Sequence, residues 1–317
     1  MTSKRYLELE QQYNAGDRAA AVAIVALAHT GDADAMFKAA ELRLRGIVGN
    51  VDPNAANRLM AKAAAKGHVE ARRAHAYFTA AGLGTKPDLV KARKMLEKLA
   101  SEDRFVVVQL AFLNHVRCAE RLKTAERHVI SADPHIELFQ GLFSPEECRY
   151  IQLLAKPWLE PARVYSDLGG SRVDPDRDAD NMAFTPMAED LVIQSVNHCI
   201  ADAANVPVTW GEPLHVMRYG PGQQFRPHHD ANGPGRGKRR RIATALLYLN
   251  SDYEGGETHF PELGFRVRGA VGDLLIFHNL AGDDVPDPRV VHAGLPIIRG
   301  EKWLATRWIK GCDYFGR

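Results

Sequence analysis

Cysteine is scarce in this sequence of 317 residues. The four cysteines, Cys118, Cys148, Cys199 and Cys312, are far apart and include no CxxC pair. A small secreted scaffold held together by disulfides has dense, regularly spaced cysteines, so that class of protein is excluded. We expect reduced thiols, as in a cytoplasmic protein.

Long apolar segments are also missing. The longest nearly apolar run, residues 19–28, is about half the length of a membrane-spanning helix. The N-terminal residues MTSKRYLELEQQ contain no apolar stretch of the kind that a secretory signal needs. The sequence therefore predicts a cytoplasmic location and no membrane partner.

An excess of charge of one sign is absent as well. The chain has 41 Lys and Arg against 39 Asp and Glu, a net charge of +2, so its charge balance does not call for a polyanionic partner. A local basic run, GRGKRRR at residues 235–241, has no interleaved aromatic residues. We interpret it as a solvated loop, and no nucleic-acid partner is predicted.

The first part of the chain, residues 1–118, is rich in alanine and self-similar at an offset of 36 residues. Asp52 corresponds to Asp88 and Ala56 to Ala92. This period predicts helix–turn–helix units that stack through small residues. The pattern resembles Sel1-like repeats, which are related to tetratricopeptide repeats. Such a stack either forms a groove that holds a peptide or protein substrate or caps the second domain, and both interpretations stay open.

The second part, residues 135–317, contains short alternating and β-branched segments separated by Gly and Pro turns. Strands with this punctuation predict a β-sandwich or jelly roll. Two helical stretches precede the core strands, and the first begins with a capping-box pattern at Ser144 and Glu147. The polar segment 119–134 is the predicted linker. The predicted fold class is therefore α+β, with a helical repeat domain followed by a β-rich domain with flanking helices.

The motif YGPGQQFRPHHD, residues 219–230, holds a candidate metal site. His228 and Asp230 are two residues apart, so in an extended chain their side chains share one face. An imidazole and a carboxylate are two thirds of a facial triad for non-haem Fe(II), and His292 is the best candidate for the second imidazole. His229 is the alternative ligand beside Asp230, although an adjacent residue should point to the opposite face.

A lysine near the end of the chain is a candidate anion-binding residue. In the predicted strand after Gly300, alternation places Lys302, Leu304, Thr306 and Trp308 on one face. A buried lysine on that face requires a carboxylate partner, and a dicarboxylate such as 2-oxoglutarate would supply it. Alternatively, Lys302 is exposed at the start of the strand.

Together these motifs resemble the catalytic domain of prolyl 4-hydroxylases. The similarity extends over residues 135–312 and includes LFSPEEC, YGPGQQFRPHHD, EGGETHF and VVHAGLPIIRGEKW, in that order. It implies a double-stranded β-helix (jelly-roll) oxygenase domain that uses Fe(II), 2-oxoglutarate and O2, with ascorbate as a candidate reductant. By the same resemblance, His228, Asp230 and His292 bind iron, and Lys302 pairs with the distal carboxylate of 2-oxoglutarate.

The resemblance implies further site residues. Tyr219 and Thr258 match positions that line or hydrogen-bond the cosubstrate, and Trp308 matches an aromatic residue of the same pocket. Arg241 matches a basic residue near the substrate, although it also ends the basic run and could be solvated. The Arg-Thr-Ser run that is common in the family is missing, and Arg177 is the candidate substitute for its arginine. The charged segment 166–181 is expected to be a lid.

The expected reaction is hydroxylation of a prolyl residue in a peptide or protein, with release of succinate and CO2. One alternative is a hydroxylase of a free amino acid or another small molecule. Another is an interaction protein whose repeats bind the partner and whose oxygenase domain is degenerate. The presence of all four residues His228, Asp230, His292 and Lys302 argues against degeneracy.

Overall fold

The structure is a computed structural model that describes residues 3–113, 118–165, 171–173, 176–232, 240–282 and 284–315. The chain divides into two compact units. The first comprises residues 1–116 with 185–195 and 315–317, and the second comprises residues 117–184 with 196–314. Residues 166–170 and 174–175 of the lid predicted at 166–181, and residues 235–239 of the basic run at 235–241, lie outside the described residues.

The helices of the first unit follow one another in hairpins. Their bounds are α1 (Lys4–Asn14), α2 (Arg18–His29), α3 (Ala33–Leu44), α4 (Pro53–Ala65), α5 (Val69–Ala81), α6 (Leu89–Glu97) and α7 (Arg104–Leu113). The predicted helix–turn–helix organisation of this region is confirmed.

The 36-residue offset of the sequence corresponds to equivalent positions in successive hairpins. Asp52 and Asp88 cap the N-termini of α4 and α6 by accepting hydrogen bonds from backbone N–H groups. Ile24, Met60 and Leu96, each 36 residues from the next, are fully buried. The repeated pattern therefore reflects repeated capping and repeated packing of one helix face.

The remaining helices are α8 (Cys118–Thr124), α9 (Pro145–Ala155) and α10 (Leu191–Ala203). The predicted capping box of α9 is confirmed, since Ser144 and the Glu147 side chain exchange hydrogen bonds with each other's backbone N–H groups. The strands are β1 (Glu126–Ser131), β2 (Ile136–Gln140), β3 (Glu160–Pro161), β4 (Arg163–Tyr165), β5 (Ser171–Val173), β6 (Asp180–Ala183), β7 (His215–Tyr219), β8 (Phe225–His228), β9 (Arg241–Tyr248), β10 (Glu254–Gly255), β11 (Thr258–Phe260), β12 (Phe265–Val267), β13 (Leu274–His278), β14 (His292–Gly294), β15 (Ile297–Arg299) and β16 (Lys302–Lys310).

Two antiparallel sheets organise the second unit. The larger has eight strands in the order β1-β2-β13-β9-β16-β7-β6-β3, and the smaller has four in the order β12-β11-β14-β8. One apolar core joins them: Tyr248 and Phe277 of the large sheet pack in the same buried cluster as Phe260 and Val267 of the small sheet. Strands that lie far apart in sequence thus form two layers around one core.

The segment 119–134, predicted as a linker, has regular structure. It contains most of α8 and the whole of β1, which pairs with β2 as the edge strand of the large sheet. The β-branched Val129 and Ile130 suit a strand, although the polar residues around them suggested a linker.

The expectation of reduced thiols is wrong for Cys199, which is disulfide-bonded, whereas Cys148 and Cys312 are free. Sequence spacing does not reveal which distant cysteines meet in a fold, so this bond was not foreseeable. Among the described residues, no helix combines the length and apolar character that crossing a membrane requires. The cytoplasmic location stays a prediction.

Candidate active site

Three predicted metal ligands meet inside the second unit. In the antiparallel pair of β8 and β14, His292 lies directly opposite His228. Asp230 begins a 3-10 turn just after β8. Its two carboxylate oxygens are each 3.7 Å from an Nε2 atom, one of His228 and one of His292. The ligand atoms of the three residues all lie within 4.8 Å of one another.

Backbone carbonyls orient both imidazoles. His228 Nδ1 donates to the carbonyl of Arg226 at 2.8 Å, and His292 Nδ1 donates to the carbonyl of Val290 at 3.1 Å. Since a carbonyl can only accept, the ring proton of each neutral histidine is on Nδ1. The Nε2 lone pairs are therefore left for a metal ion.

The protonation states of the cluster suit a metal centre. Burial lowers the pKa of His228 to about 4 and also lowers the pKa of His292. Burial alone would raise the pKa of Asp230, but the facing imidazoles, Arg241 and a hydrogen bond from Thr244 hold it below its usual range. At neutral pH the cluster thus offers two neutral imidazoles and one carboxylate, the donor set of a facial Fe(II) triad.

Two residues that the sequence analysis did not single out support Asp230. The Thr244 hydroxyl donates to Asp230 Oδ2 at 2.7 Å and accepts from Asn279 Nδ2 at 3.0 Å. Both side chains are fully buried. Thr244 could have been noticed as a polar residue on the alternating strand β9, whereas nothing in the sequence connects Asn279 with Asp230.

His229 is held away from the cluster. Its Nε2 donates to the carbonyl of Asp287 at 2.8 Å, and its Nδ1 accepts from the backbone N–H of Ala231 at 3.1 Å. Both ring nitrogens are therefore engaged in hydrogen bonds. His228, which stacks on Phe225 with ring centroids 3.5 Å apart, faces the cluster instead.

The cluster opens into a pocket in which Lys302 also lies. The four residues expected on one face of the last strand, Lys302, Leu304, Thr306 and Trp308, all line this pocket. Lys302 is buried, which excludes the alternative of an exposed lysine, and its Nζ donates to the carbonyl of Gly256 at 2.7 Å. No ion pair with Lys302 occurs among the described residues. Burial lowers the pKa of Lys302 to about 8.

Two of the expected cosubstrate residues, Tyr219 and Thr258, share the pocket with Lys302. Tyr219 and Thr258 both line the pocket, and β7 places Tyr219 directly opposite Lys302. Thr258 Oγ1 and the Tyr248 hydroxyl are 2.9 Å apart, and Lys302 Nζ is 5.4 Å from the centre of the Tyr248 ring. Tyr248 was missed, although it lies on the same face of β9 as Thr244.

Trp308, near the C-terminal end of β16, forms a separate group with Arg241. Trp308 lines the pocket, and its indole N–H has no hydrogen-bond partner in the described part of the chain. The guanidinium of Arg241 lies over the Trp308 ring at 3.8 Å. It donates twice to the Glu212 carboxylate, at 2.7 and 2.9 Å. The charge of Arg241, the first residue of β9, is therefore compensated by Glu212. Arg241 does not line the pocket.

Comparisons with known proteins give the family. A family model described as the 2OG-Fe(II) oxygenase superfamily matches residues 214–310. Prolyl 4-hydroxylase 1 of Arabidopsis thaliana is 34% identical over 208 residues, which cover 60% of this chain and 74% of the relative. Prolyl 4-hydroxylase 2 of the same plant is 30% identical over 235 residues, covering 65% and 78%.

One similar solved structure is the 2OG complex of viral collagen prolyl hydroxylase from Paramecium Bursaria Chlorella virus-1. Its sequence is 28% identical, and the match covers 56% of this chain and 96% of the viral chain with a TM-score of 0.46. The sequence relatives establish the class: the chain is a 2OG-Fe(II) oxygenase, an enzyme that uses Fe(II), 2-oxoglutarate and O2. Within this superfamily it belongs to the prolyl 4-hydroxylase-like family.

Proposed function

We propose that the enzyme hydroxylates a prolyl residue in a peptide or protein while 2-oxoglutarate is converted to succinate and CO2. One observation carries the proposal: a His–Asp–His cluster shares a pocket with a buried lysine that has no ion pair among the described residues. The prolyl substrate is inferred from the relatives. One oxygen atom of O2 enters succinate, and the other is inserted into a C–H bond of the prolyl ring.

In this proposal His228, Asp230 and His292 hold the iron, each through one atom. Bound Fe(II) supplies the redox chemistry that couples reduction of O2 to oxidative decarboxylation of 2-oxoglutarate and to hydroxylation. The chain keeps the imidazoles neutral and the carboxylate ionised, as the lowered pKa values of the three residues indicate. His229 takes no part, because both of its ring nitrogens are engaged.

Lys302 would bind the distal carboxylate of 2-oxoglutarate. An ammonium group buried without a counter-ion is costly, and a bound carboxylate relieves that cost. The hydroxyl groups of Thr258 and Tyr219 line the same pocket and can hydrogen-bond the cosubstrate. Leu246 and Ile297 are apolar residues of the pocket lining, and a lining with few polar groups would strengthen the charge pair.

Trp308 would lie where cosubstrate and substrate meet. Its unpartnered indole N–H and the unpartnered hydroxyl of Thr306 are polar groups in the pocket that a ligand can satisfy. Arg241 would act on the substrate side through Trp308, because its own guanidinium is paired with Glu212. Arg241 therefore positions the indole instead of contacting the reacting atoms.

Several finer assignments belong to the same proposal. The two sheets would form the jelly roll of an oxygenase domain at 135–317, preceded by Sel1-like repeats at 1–118. The hairpins α2–α3, α4–α5 and α6–α7 support the repeat assignment by their common period. Ascorbate would serve as a reductant, by family resemblance. The repeats would hold the peptide or protein substrate.

The proposal is tested by incubating the full chain with Fe(II), 2-oxoglutarate, O2 and a set of proline-containing peptides, followed by tandem mass spectrometry. We expect a gain of one oxygen atom on proline, with an equal amount of succinate. The same peptides with alanine in place of proline, and the Asp230→Ala enzyme, are the matched controls. Oxygen incorporation into free proline but into none of the peptides would favour a small-molecule hydroxylase.

A further inference from the structure

The helices of the three hairpins pack on one another in chain order. The helix α3 packs on both α2 and α4, and α5 packs on both α4 and α6. The helices α2, α4 and α6 therefore alternate with α3 and α5 along the row, as in other stacked repeats. Residues at equivalent outward positions of α4 and α6 thus belong to the same side of this unit.

That side carries a set of basic residues, here named the basic face. On α4, Arg58, Lys62 and Lys66 follow one another at intervals of four residues, with Lys66 as the C-cap. On α6, Lys94 and its C-cap Lys98 lie 36 residues after Arg58 and Lys62. All five are exposed. Intervals of four residues place side chains on one stripe of a helix, so α4 and α6 carry equivalent stripes.

The charge of the basic face is not compensated. Residues 53–100 contain ten Lys and Arg but three Asp and Glu, and α4 itself contains no acidic residue. Neighbouring arginines do form ion pairs: Arg72 with Glu102, Arg73 with Asp103, and Arg93 with Glu97. Within residues 3–113, which the structure describes without interruption, no residue of the basic face forms an ion pair or a side-chain hydrogen bond.

The segment that enters α6 packs directly on the start of α4. Asn57 Nδ2 donates to the carbonyl of Gly84 at 3.2 Å. A Cβ on Gly84 would be only 2.4 Å from the carbonyl oxygen of Pro53, so the two segments touch through their backbones. The stripe on α4 spans about 12 Å at the rise of an α-helix. A polypeptide segment of a few residues is long enough to follow it.

We propose that the basic face binds an acidic segment of a polypeptide. Charge complementarity favours a polyanion, and the absence of exposed aromatic rings from residues 53–100, all of which the structure describes, favours a polypeptide over a nucleic acid. The two Phe, Tyr or Trp residues within 53–100, Tyr77 and Phe78, are buried, so neither is available to stack on bases. The proposal rests on the proposed function in one respect: the acidic segment is taken to flank the proline that is hydroxylated.

Binding is measured on the full chain by fluorescence anisotropy with two labelled peptides. Both contain the same proline; one has a flank of Asp and Glu, and the other has the matching Asn and Gln. We expect the acidic peptide to bind at least about tenfold more tightly, with an advantage that decreases as salt is added. K62E/K98E should remove this advantage. R18E/R104E makes the same change of charge at exposed positions of α2 and α7 and should leave it unchanged.

Each outcome is informative. The proposal is supported if K62E/K98E, but not R18E/R104E, loses the tighter binding of the acidic peptide. The same variant should also lose the preference for the acidic peptide in kcat/KM. Equal binding of both peptides, or equal loss in R18E/R104E, overturns it. Tighter binding of a single-stranded oligonucleotide or of phosphatidylserine vesicles than of the acidic peptide overturns it too. Because anisotropy needs no turnover, retained acidic-peptide binding without any hydroxylation would contradict the proposed function and leave the basic face intact.

Discussion

Thr244 donates its hydroxyl hydrogen to Asp230 Oδ2 at 2.7 Å, and both residues are buried. The hydroxyl also accepts from Asn279, so it has no freedom to rotate towards another partner. A hydrogen bond of this kind fixes the rotation of a carboxylate that must present its other oxygen to a metal ion. Thr244 therefore sets the direction in which Asp230 faces the two histidines.

We expect Thr244→Val, which keeps the shape of the side chain and removes the hydrogen bond, to weaken binding of Fe(II). Outer partners of metal ligands typically contribute about 10–100-fold to affinity or activity. Titration with Fe(II) under nitrogen measures the affinity directly. Thr244→Ser retains the donor and should recover most of the loss. Equal weakening in both variants would mean that packing, and not the hydrogen bond, is responsible.

Replacement of Asp230 should have a larger effect than replacement of its neighbour. Asp230→Ala removes the one carboxylate of the cluster and should abolish both Fe(II) binding and turnover of 2-oxoglutarate. His229→Ala removes a side chain whose nitrogens bond only to backbone groups, so Fe(II) binding should persist. The metal content after gel filtration distinguishes the two variants. Full Fe(II) occupancy in Asp230→Ala would show that Asp230 is not a ligand. Loss of Fe(II) only in His229→Ala would assign the ligand to His229.

Lys302 is expected to determine affinity for 2-oxoglutarate. A charge-assisted hydrogen bond contributes about 1.5–3 kcal/mol, and leaving the ligand carboxylate buried and unpaired adds to the loss. Lys302→Ala should therefore raise the KM for 2-oxoglutarate at least about tenfold, while Fe(II) affinity changes little. Lys302→Arg should recover part of the loss, since its planar guanidinium aims its donors differently. An unchanged KM for 2-oxoglutarate in Lys302→Ala would show that another cationic residue binds the carboxylate of the cosubstrate.

The pH dependence of cosubstrate binding should reveal Lys302 as well. Burial lowers its pKa to about 8, and the protonated form is the one that pairs with a carboxylate. Affinity should therefore be constant well below pH 8 and decrease above it, by up to about tenfold per pH unit. Calorimetry on Mn(II)-loaded protein under nitrogen measures this profile. In Lys302→Arg the guanidinium stays protonated, so the decrease should disappear; a persistent decrease would point to a different titrating group.

Much of the first unit was determined by local sequence. Asp52 and Asp88 act on backbone N–H groups within the next turn, and Ile24, Met60 and Leu96 are buried because a helix brings every third or fourth residue to one face. Such effects operate over a few residues, so a repeated spacing was enough to predict the hairpins. The capping box of α9 belongs to the same class.

The candidate metal ligands were also suggested by sequence, since His228 and Asp230 are neighbours and His292 stands in a recognisable motif. Their meeting, however, depends on the register of β8 and β14, which places His292 opposite His228. A shift by one residue would turn one imidazole to the other face of the sheet. The alternation of residues along one strand predicts which of its side chains share a face of the sheet. It does not predict which residue of a distant strand lies opposite them.

Only the tertiary structure decided the partners of the remaining buried polar groups. Arg241 could have been solvated, but the fold brings Glu212 to its guanidinium. Asn279 reaches Asp230 through Thr244 because β9 and β13 are adjacent. These contacts form when strands that are tens of residues apart in the sequence pair with each other. A polar group that becomes buried then needs a hydrogen-bond partner, and only the residues that strand pairing has placed beside it can supply one. The sequence determined which groups needed partners, and the folded chain selected them.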